Sequence, residues 1–255
     1  MTATVDVRDL RKTFYDEGRG NLSAVDGVTF ECHPGEVFGL LGANGAGKTT
    51  TLRLLSTVLV PTSGSASVMG FDVRRQPEDV RRQLGFFSAS TALYPRLTAR
   101  ETLEFFARIN GYPATRVRER VDALVARFGL SDYADTRVDR LSQGMKQKVS
   151  IARTVAHEPP VLIFDEPTVG LDVLNALEML QIVEALRDQG KTVIFSTHVM
   201  SEAERVCNRI AILHRGRIHA CGTLAELRQE TGCHYLEEIF VHYVTRAAAT
   251  GDGRT

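Results

Sequence analysis

Gly42-Ala43-Asn44-Gly45-Ala46-Gly47-Lys48-Thr49 follows the apolar run Val37-Phe38-Gly39-Leu40-Leu41 and precedes a second apolar pattern, Thr50-Thr51-Leu52-Arg53-Leu54-Leu55. This order predicts a strand, a glycine-rich turn and a helix, which is the context that a phosphate-binding loop of the form G-x-x-x-x-G-K-T requires. Backbone N–H groups of such a turn point inward, and the helix start adds its positive dipole end. A chance glycine turn, the alternative, would not need either flanking element. The stretch therefore predicts binding of a nucleoside triphosphate.

Within this stretch, Lys48 is expected to reach the β- and γ-phosphates, and the Thr49 hydroxyl is a candidate ligand for Mg²⁺. The candidate phosphate-binding residues of the loop and helix start are Gly42, Asn44, Gly45, Ala46, Gly47, Lys48, Thr49 and Thr50.

The run Val161-Leu162-Ile163-Phe164 is followed by two carboxylates, Asp165 and Glu166. In phosphate-loop enzymes an acid in the position of Asp165 holds Mg²⁺, directly or through water. Glu166 is expected to point the other way along an extended backbone, where it could polarise a water in line with the γ-phosphate. The alternative is a surface acidic pair, but carboxylates that end a fully apolar strand need a cation.

His198 follows a further apolar run, Thr192-Val193-Ile194-Phe195-Ser196. Ligands of open parallel sheets bind at the carboxyl ends of the strands, so His198 is expected near Glu166. There it could hydrogen-bond the γ-phosphate or orient Glu166. A histidine in such a place is more often structural, and spacing alone does not decide between these interpretations.

A second helix start is expected where Leu141-Ser142-Gln143-Gly144-Met145 precedes the pattern Val149-Ser150-Ile151-Ala152-Arg153. A Ser and a Gly just ahead of a helix form an anion-binding site. The chain has one phosphate loop, so this second site is expected to serve the nucleotide of another molecule.

The periodicity of the chain indicates an α/β protein. Short alternating or apolar runs predict strands at 4–7, 28–32, 37–41, 65–69, 161–164 and 192–196. Between Arg96 and about Ala156 the period changes, with apolar stripes at Leu103, Phe106 and Ala107 and at 117, 121, 124, 125 and 128. A helix is also predicted at 176–188. The middle of the chain is therefore expected to be a helical insertion.

Composition excludes several classes of protein. In 255 residues, 31 basic side chains balance 31 acidic ones, which gives no sign of a nucleic-acid partner. No apolar run approaches the roughly 20 residues that cross a bilayer, and the first residues do not resemble a secretory signal. The four cysteines form no C-x-x-C pair, which fits a reduced cytosolic setting. The residues His219, Cys221, Cys233 and His234 match no zinc spacing.

The order of the phosphate loop, LSQGM, VLIFDEP, Gly170-Leu171-Asp172 and Ser196-Thr197-His198 resembles the ATP-binding subunit of an ABC transporter, over about Val5 to Gly222. This implies a P-loop NTPase fold with a mostly parallel sheet core, an N-terminal antiparallel β subdomain and an inserted helical subdomain at about 96–156. The ATP-binding domain would cover 1–222. A C-terminal helical extension and a disordered tail would cover 223–255.

The resemblance also implies ATP and Mg²⁺ as cofactors and assigns roles to residues. Phe14, in Lys12-Thr13-Phe14, would stack on the adenine. Asp165 would join Thr49 on the metal. Glu166 would be the general base, and His198 the histidine that senses the γ-phosphate.

A second copy of the chain is implied as a partner. Its run Ser142-Gln143-Gly144 would contact the γ-phosphate held by the first copy, so that two ATP molecules are sandwiched, and Asp172 would couple the two sites. The other implied partner is a separate polytopic membrane permease, which would place the chain peripherally on the cytoplasmic face of the plasma membrane. Purified Glu166→Gln protein is then expected to dimerise on ATP.

Two departures from the family pattern affect these expectations. The usual Leu-Ser-Gly-Gly-Gln is Leu-Ser-Gln-Gly-Met here, but a backbone N–H at Gln143 could still donate, so hydrolysis is expected to survive. The glutamine that links Mg²⁺ to the membrane subunit should fall near Ala89, within Phe86-Phe87-Ser88-Ala89-Ser90-Thr91, and no Gln lies there. Ser88, Ser90 or water could take its place.

The segments 84–87 and 93–98 resemble the exporter branch of the family. Within that branch, the glutamine-less loop and the segments 200–204 and 236–240 resemble the sodium-extrusion type. Sodium is therefore the expected substrate, with a drug, lipid or polysaccharide as alternatives. Two other classes are a family member that acts on nucleic acid or ribosomes, which would call for a basic surface, and an adaptor that binds ATP without hydrolysing it.

Overall fold

The computed structural model describes residues 2–18, 20–88 and 91–249. In this part of the chain the strands are β1 (Val5–Asp16), β2 (Gly20–Cys32), β3 (Val37–Leu41), β4 (Ser63–Val68), β5 (Phe71–Asp72), β6 (Leu84–Ser88), β7 (Val161–Asp165), β8 (Thr192–Thr197), β9 (Arg209–His214) and β10 (Arg217–Gly222). The helices are α1 (Lys48–Leu55), α2 (Pro77–Gln83), α3 (Ala99–Ile109), α4 (Val117–Arg127), α5 (Gln143–Thr154), α6 (Val173–Asp188), α7 (Met200–Val206), α8 (Leu224–Thr231) and α9 (Leu236–Ala249).

The larger sheet has the order β10-β9-β3-β8-β7-β6. The five neighbouring strands β9, β3, β8, β7 and β6 of this sheet are parallel. Strand β10 pairs with β9 in an antiparallel hairpin at the edge of the sheet. Every residue of β3, β7 and β8 is buried. A strand that is covered on both faces has no solvent-facing side chains, so its sequence is continuously apolar and does not alternate between polar and apolar residues. The strand directions and the burial of these strands therefore confirm the mostly parallel core that was predicted from the apolar runs.

The smaller sheet is antiparallel and has the order β2-β1-β4-β5. It confirms the expected N-terminal β subdomain, but β1 and β2 are much longer than the alternating runs at 4–7 and 28–32. The ladder continues beyond these runs through a mixture of polar and apolar residues, from Arg11 opposite Asp26 to Tyr15 opposite Asn21, and it crosses several register shifts. Because each shift interrupts the alternation, the sequence pattern fades before the strands end.

The three longest helices between β6 and β7 pack into the predicted helical insertion. Leu103 and Ala107 of α3 are fully buried. The apolar stripe of α4 is buried too, and it continues to Phe128, the residue after the helix. Its members are Val117, Val121, Leu124, Val125 and Phe128. Phe106 differs from the prediction, since it is only half-buried and its ring carries the Arg153 guanidinium 4.9 Å from its centroid. The α3 helix begins with a capping box between Thr98 and Glu101.

Three strands of the larger sheet, β6, β9 and β10, were not predicted from the sequence. Each has only five or six residues, and a run of that length is distinguished from a buried helix segment by its flanking sequence. The equally short β3, β7 and β8 each precede a recognisable motif, whereas β6, β9 and β10 do not. Two helix starts were also placed late: α6 begins at Val173 instead of 176, and α1 includes Lys48 and Thr49.

Helices α8 and α9 pack against the β9–β10 hairpin. Their apolar side chains form one buried cluster with it, which includes Leu41, Ile210, Ile212, Leu227, Leu236, Ile239 and Tyr243. The domain boundary at 222 and the division of 223–255 into a helical extension and a tail stay predictions, and residues 250–255 of that segment lie outside the described residues. In the described part of the chain, none of the helices combines the length and the apolar character that spanning a bilayer demands.

Candidate nucleotide-binding site

The loop between β3 and α1 lies in the predicted context, between a buried strand and a helix. Gly47 is the N-cap of α1 and has φ 106°, a backbone conformation that only glycine adopts without strain. A Cβ at Gly47 would lie 2.5 Å from the Ala24 carbonyl oxygen. The tight turn thus needs glycine here, and it leaves the first amides of α1 without intrahelical partners, available to an anion.

Lys48 is the buried cation of this loop, with only 5% of its side chain exposed. Its Nζ donates to the carbonyl oxygens of Gly42 at 2.6 Å and Ala43 at 3.3 Å. Nζ also forms an ion pair with Glu166 Oε1 at 2.9 Å. A buried ammonium requires such partners because isolated charges are costly to desolvate. The two carbonyl oxygens and the Glu166 carboxylate together hold the Lys48 ammonium group beside the loop.

The Asp165 carboxylate accepts hydrogen bonds from hydroxyl groups on three neighbouring elements. Thr49 Oγ1 donates to Oδ1 at 3.0 Å, Ser196 Oγ donates to Oδ1 at 2.8 Å, and Ser88 Oγ donates to Oδ2 at 3.4 Å. The register explains this set, because Ser88, Asp165 and Ser196 are opposite one another on β6, β7 and β8. Hydroxyl and carboxylate oxygens are ligands that suit Mg²⁺, which also takes oxygens from bound phosphates.

Glu166 does not continue the strand, contrary to the expectation of an extended backbone. Its φ is 49°, in the left-handed region, where a non-glycine residue costs of order 1–3 kcal/mol. The turn is held by its N–H, which lies 3.0 Å from Ser196 Oγ and 3.2 Å from the Ser196 carbonyl oxygen. This turn, and not strand alternation, separates the Glu166 side chain from Asp165.

His198 lies next to Glu166, as its position after β8 predicted. Its Nδ1 is 2.7 Å from Glu166 Oε2. The backbone around it is fixed by Thr197, whose Oγ1 donates to Glu202 Oε2 at 2.7 Å and accepts from Val199 N–H at 3.0 Å. The Glu166 carboxylate is thus held between an ammonium on one oxygen and an imidazole on the other.

The other candidate residues have partners local to their own elements. Ser142 is the N-cap of α5 and accepts from Met145 N–H at 3.3 Å. Gln143 and Gly144 are therefore inside the first turn of that helix, not ahead of it as predicted. Ser142 and Gln143 are exposed. The helix start that they form thus faces outward and is accessible to a second molecule.

Asp172 is the N-cap of α6, and its Oδ1 accepts from Asn175 N–H at 3.0 Å. The hydrogen bonds that Asn175 donates, from its backbone and then from its side chain, lower the pKa of Asp172. An ionised side chain at the helix start is favoured by the helix dipole.

Phe14 lies on β1, 38% exposed, with Lys12 Nζ 5.1 Å from its ring centroid. An exposed ring of this kind can stack on a base, and its role stays a prediction. Ala89 and Ser90, where the family glutamine was expected, lie outside the described residues. Ser88, which with Ser90 was considered as a replacement for that glutamine, is in contact with Asp165.

A cleft of about 410 Å³ lies beside this site, between the end of β6, the segment at 91–95 and the first turns of α5. Its walls are mixed in character: Phe87, Leu93 and Pro95 are apolar, and Lys146 and Ser150 are polar. The Ser150 hydroxyl is buried with no hydrogen-bond partner among the described residues. The cleft therefore offers apolar area with a few polar groups, which is typical of a binding surface.

Sequence reasoning missed two residues that organise the site. Ser196 bonds both Asp165 and the backbone of Glu166, although the sequence placed it only at the end of an apolar run and in the motif Ser196-Thr197-His198, with no role of its own. Gln147 Nε2 donates to the Pro167 carbonyl oxygen at 2.8 Å and so joins α5 to the segment after Glu166. The signal for Ser196 was a hydroxyl residue at the carboxyl end of a buried strand, level with Asp165. No sequence signal points to Gln147.

Residues 25–169 match the family described as ABC transporter. The ABC transporter ATP-binding protein NatA of Bacillus subtilis (strain 168) is 37% identical over 95% of this chain and 98% of its own length. The daunorubicin/doxorubicin resistance ATP-binding protein DrrA of Streptomyces peucetius is 40% identical over 84% of this chain and 64% of its own.

Solved structures agree with this match. An ATP-binding subunit of an ABC transporter superposes with a TM-score of 0.85 and 33% identity, over 95% of this chain and all of its own. The ATP-binding cassette MJ0796, a dimer in a post-hydrolysis state bound to ADP and Pi, superposes with a TM-score of 0.78 and 26% identity. That match covers 86% of this chain and 98% of the cassette.

Proposed function

The chain belongs to the ABC transporter ATP-binding family, as an ATP-hydrolysing subunit of an exporter-type system, and from this premise we propose that it powers the extrusion of sodium ions through a separate permease. The likeness to NatA, named as an ABC transporter ATP-binding protein, carries the proposal, because it extends over 95% of this chain and 98% of NatA. Sodium is supported by the resemblance of the segments 86–91, 200–204 and 236–240 to the sodium-extrusion type.

At the site, the loop amides and Lys48 bind the phosphates of ATP. Because Lys48 is already paired with Glu166, a γ-phosphate competes with the Glu166 carboxylate for the Lys48 ammonium. Glu166 then keeps the imidazole of His198 as its partner. The exchange releases one carboxylate oxygen towards the γ-phosphate, where a water can be oriented.

Glu166 takes the proton of this attacking water, and His198 holds the carboxylate in the required direction. Positioned proton transfer of this kind accounts for about 10²–10⁴-fold in rate. Thr49 and Asp165, with Ser88 and Ser196 beside them, would hold Mg²⁺. When bound, the metal neutralises charge on the β- and γ-phosphates. The backbone turn at Glu166 separates the two carboxylates, so that one serves the metal and the other the water.

A second copy of the chain completes the site. The exposed start of α5, with Ser142, Gln143 and Gly144, provides outward-facing amides for the γ-phosphate of the other copy. The likeness to a dimeric cassette supports this arrangement. Asp172 starts α6 on the exposed side and couples the two sites across the interface.

The cleft between β6 and α5 is the proposed docking site of the permease. Binding to the permease would keep the chain on the cytoplasmic face of the membrane. One wall ends at Ser88, in contact with Asp165, and the other contains the start of α5. A segment seated there would contact both subdomains at once. Closure of the dimer would then move it, which transmits ATP binding to the membrane.

Glu166→Gln protein tests the nucleotide part of the proposal. The amide cannot take a proton from water, so ATP should accumulate unhydrolysed and hold two copies together. Light scattering should show a dimer with MgATP and a monomer without it, while phosphate release is lost. A Glu178→Gln variant is the control, because Glu178 is exposed and forms a surface ion pair with Lys148. A Glu166→Gln protein that stays monomeric in MgATP would contradict the sandwich.

Sodium is tested with the chain and its permease reconstituted in vesicles. ATP hydrolysis should rise with sodium and not with potassium or choline, and a sodium-sensitive dye should report movement across the membrane. The likeness to DrrA favours an amphiphilic drug as second candidate substrate. Stimulation by daunorubicin without any response to sodium would reject sodium and support the drug.

A further inference from the structure

The turn between β9 and β10 contacts the phosphate loop from behind. Gly216 N–H donates to the carbonyl oxygen of Ala46 at 2.8 Å, and the Gly216 carbonyl oxygen accepts from Asp26 N–H, also at 2.8 Å. One buried glycine thus bridges the tip of the phosphate loop and β2. No motif of the sequence includes Gly216.

The bond to Ala46 determines where the next amide points. The peptide between Ala46 and Gly47 is planar and trans, so its C=O and N–H point in opposite directions. Because the Ala46 carbonyl is held towards Gly216, the Gly47 N–H is directed to the other side of the loop. In a phosphate loop the backbone amides that bind the anion point into the concave face.

The turn is itself anchored by charge. Arg217 Nε and Nη2 lie 2.8 Å and 2.7 Å from Asp26 Oδ2, and Arg11 Nη1 pairs with Asp26 Oδ1. Three strands, β1, β2 and β10, are joined in this way around one partly buried carboxylate. The hairpin is supported on its other side by the apolar cluster with α8 and α9.

The close approach requires glycine at position 216. Its φ is +77°, and a Cβ there would lie 3.0 Å from the Ala24 carbonyl oxygen and 3.3 Å from Asp26 N. An alanine would have to move away from β2, and its N–H would move away from Ala46 with it.

We propose that the Arg215–Gly216 turn is a strap that positions the phosphate loop, with Gly216 and the Asp26–Arg217 pair as positioning residues. The strap holds the Ala46 carbonyl outward so that the Gly47 amide faces the phosphates before ATP arrives. This inference rests on the proposed role of the loop in phosphate binding. It gives the C-terminal helices a part in the site, since they support the hairpin that carries the strap.

The test compares Gly216→Ala with Gly190→Ala. Gly190 also has a positive φ, +80°, but a Cβ there would meet no atom within 4 Å, so it controls for backbone strain alone. The Gly216→Ala variant should raise the KM for ATP by about tenfold, as expected for one lost hydrogen bond to a charged group, and leave kcat within about twofold. The Gly190→Ala variant should leave both constants unchanged.

A second variant keeps the strap testable if Gly216→Ala does not fold. Arg217→Gln, against Arg82→Gln as a surface ion-pair control, should raise the KM for ATP severalfold with kcat retained, because uniform loss of phosphate binding changes KM alone. An unchanged KM in Gly216→Ala, or in Arg217→Gln if it is the only folded variant, would overturn the strap. An equal rise in the matched control would overturn it too.

A Lys48→Ala variant distinguishes an error in the proposed strap from an error in the proposed function of the phosphate loop. If Lys48→Ala abolishes ATP binding while the strap variants bind normally, only the strap is wrong. If Lys48→Ala binds ATP as tightly as the unchanged protein, the phosphate-loop role is wrong and the strap with it.

Discussion

At the scale of single residues, the site depends on which side chain holds which oxygen. Asp165 and Glu166 are adjacent in sequence but serve different partners, hydroxyl groups for the first and Lys48 with His198 for the second. The left-handed turn at Glu166 makes this division possible. Its strain is offset by the two contacts that its N–H makes with Ser196.

His198→Ala should lower the turnover of ATP by about 10²-fold and leave ATP affinity nearly unchanged, because the Glu166 carboxylate loses its orienting partner but the loop remains. Phosphate release under saturating MgATP measures the first quantity, and calorimetric titration measures the second. His234→Ala is a control, since His234 lies in the C-terminal region between α8 and α9. Normal turnover in His198→Ala would show that Glu166 needs no imidazole.

His157 should make stability depend on pH. Burial, first of all, and the nearby charges of Arg120 and Lys191 lower its pKa to about 4. The unfolded chain takes up a proton near pH 6.5 while the folded chain does not, so stability falls as the pH drops from about 6.5 towards 4.

Between pH 7 and pH 5, the difference in the pKa of His157 between the folded and the unfolded chain removes roughly 1–2 kcal/mol of the free energy of unfolding. Urea denaturation at both values should show that His157→Gln loses less stability on acidification than the unchanged protein. Equal losses in the two proteins would mean that His157 titrates normally when folded.

At the scale of elements, helix starts determine much of the site. Side-chain caps begin α3, α5, α6 and α8, and those of α5 and α6 are the functional candidates Ser142 and Asp172. A cap satisfies one first-turn amide and leaves others pointing along the helix axis. The same residue can therefore define a helix and present its amides to a ligand.

Thr98→Ala should reduce the free energy of unfolding by about 0.5–2 kcal/mol, because it removes the oxygen that accepts from Glu101 N–H at the start of α3. Thr98→Ser keeps that acceptor and should be nearly neutral. Urea unfolding of both variants measures the difference. The idea fails if the two substitutions are equally destabilising.

At the scale of the whole molecule, an apolar patch adjoins the proposed dimer contact. Val173 and Leu174 follow Asp172 at the start of α6 and are 75% and 79% exposed. Val169 before the turn is exposed as well. Clustered apolar side chains next to a predicted interface favour burial against the second copy.

Leu174→Glu should therefore weaken the ATP-dependent dimer of Glu166→Gln protein by tenfold or more, since a carboxylate at a buried contact must be desolvated. Val58→Glu is the matched control, because Val58 is 62% exposed and lies just after Ser56, the C-cap of α1, and so on a different element from the starts of α5 and α6. Sedimentation equilibrium in MgATP gives both dissociation constants. A dimer that tolerates Leu174→Glu would place the patch outside the interface.

The sequence by itself determined the nucleotide chemistry. A strand, a glycine turn with Lys48, and carboxylates after a second buried strand form local patterns, because phosphate binding uses backbone amides of one short segment and the carboxyl ends of parallel strands meet at one edge. The sheet core and the apolar faces of α3 and α4 followed from periodicity for the same reason. Each is a property of residues close in the chain.

Only the tertiary structure decided how these parts support one another. The turn at Glu166, the place of Ser196 on Asp165 and the bond from Gly216 to Ala46 join residues from 30 to 170 positions apart. No local period encodes such contacts, because they depend on strand order and register in the folded sheet. The long ends of β1 and β2 were missed for this reason: their pairing partners, and not a local pattern of their own, make them strands.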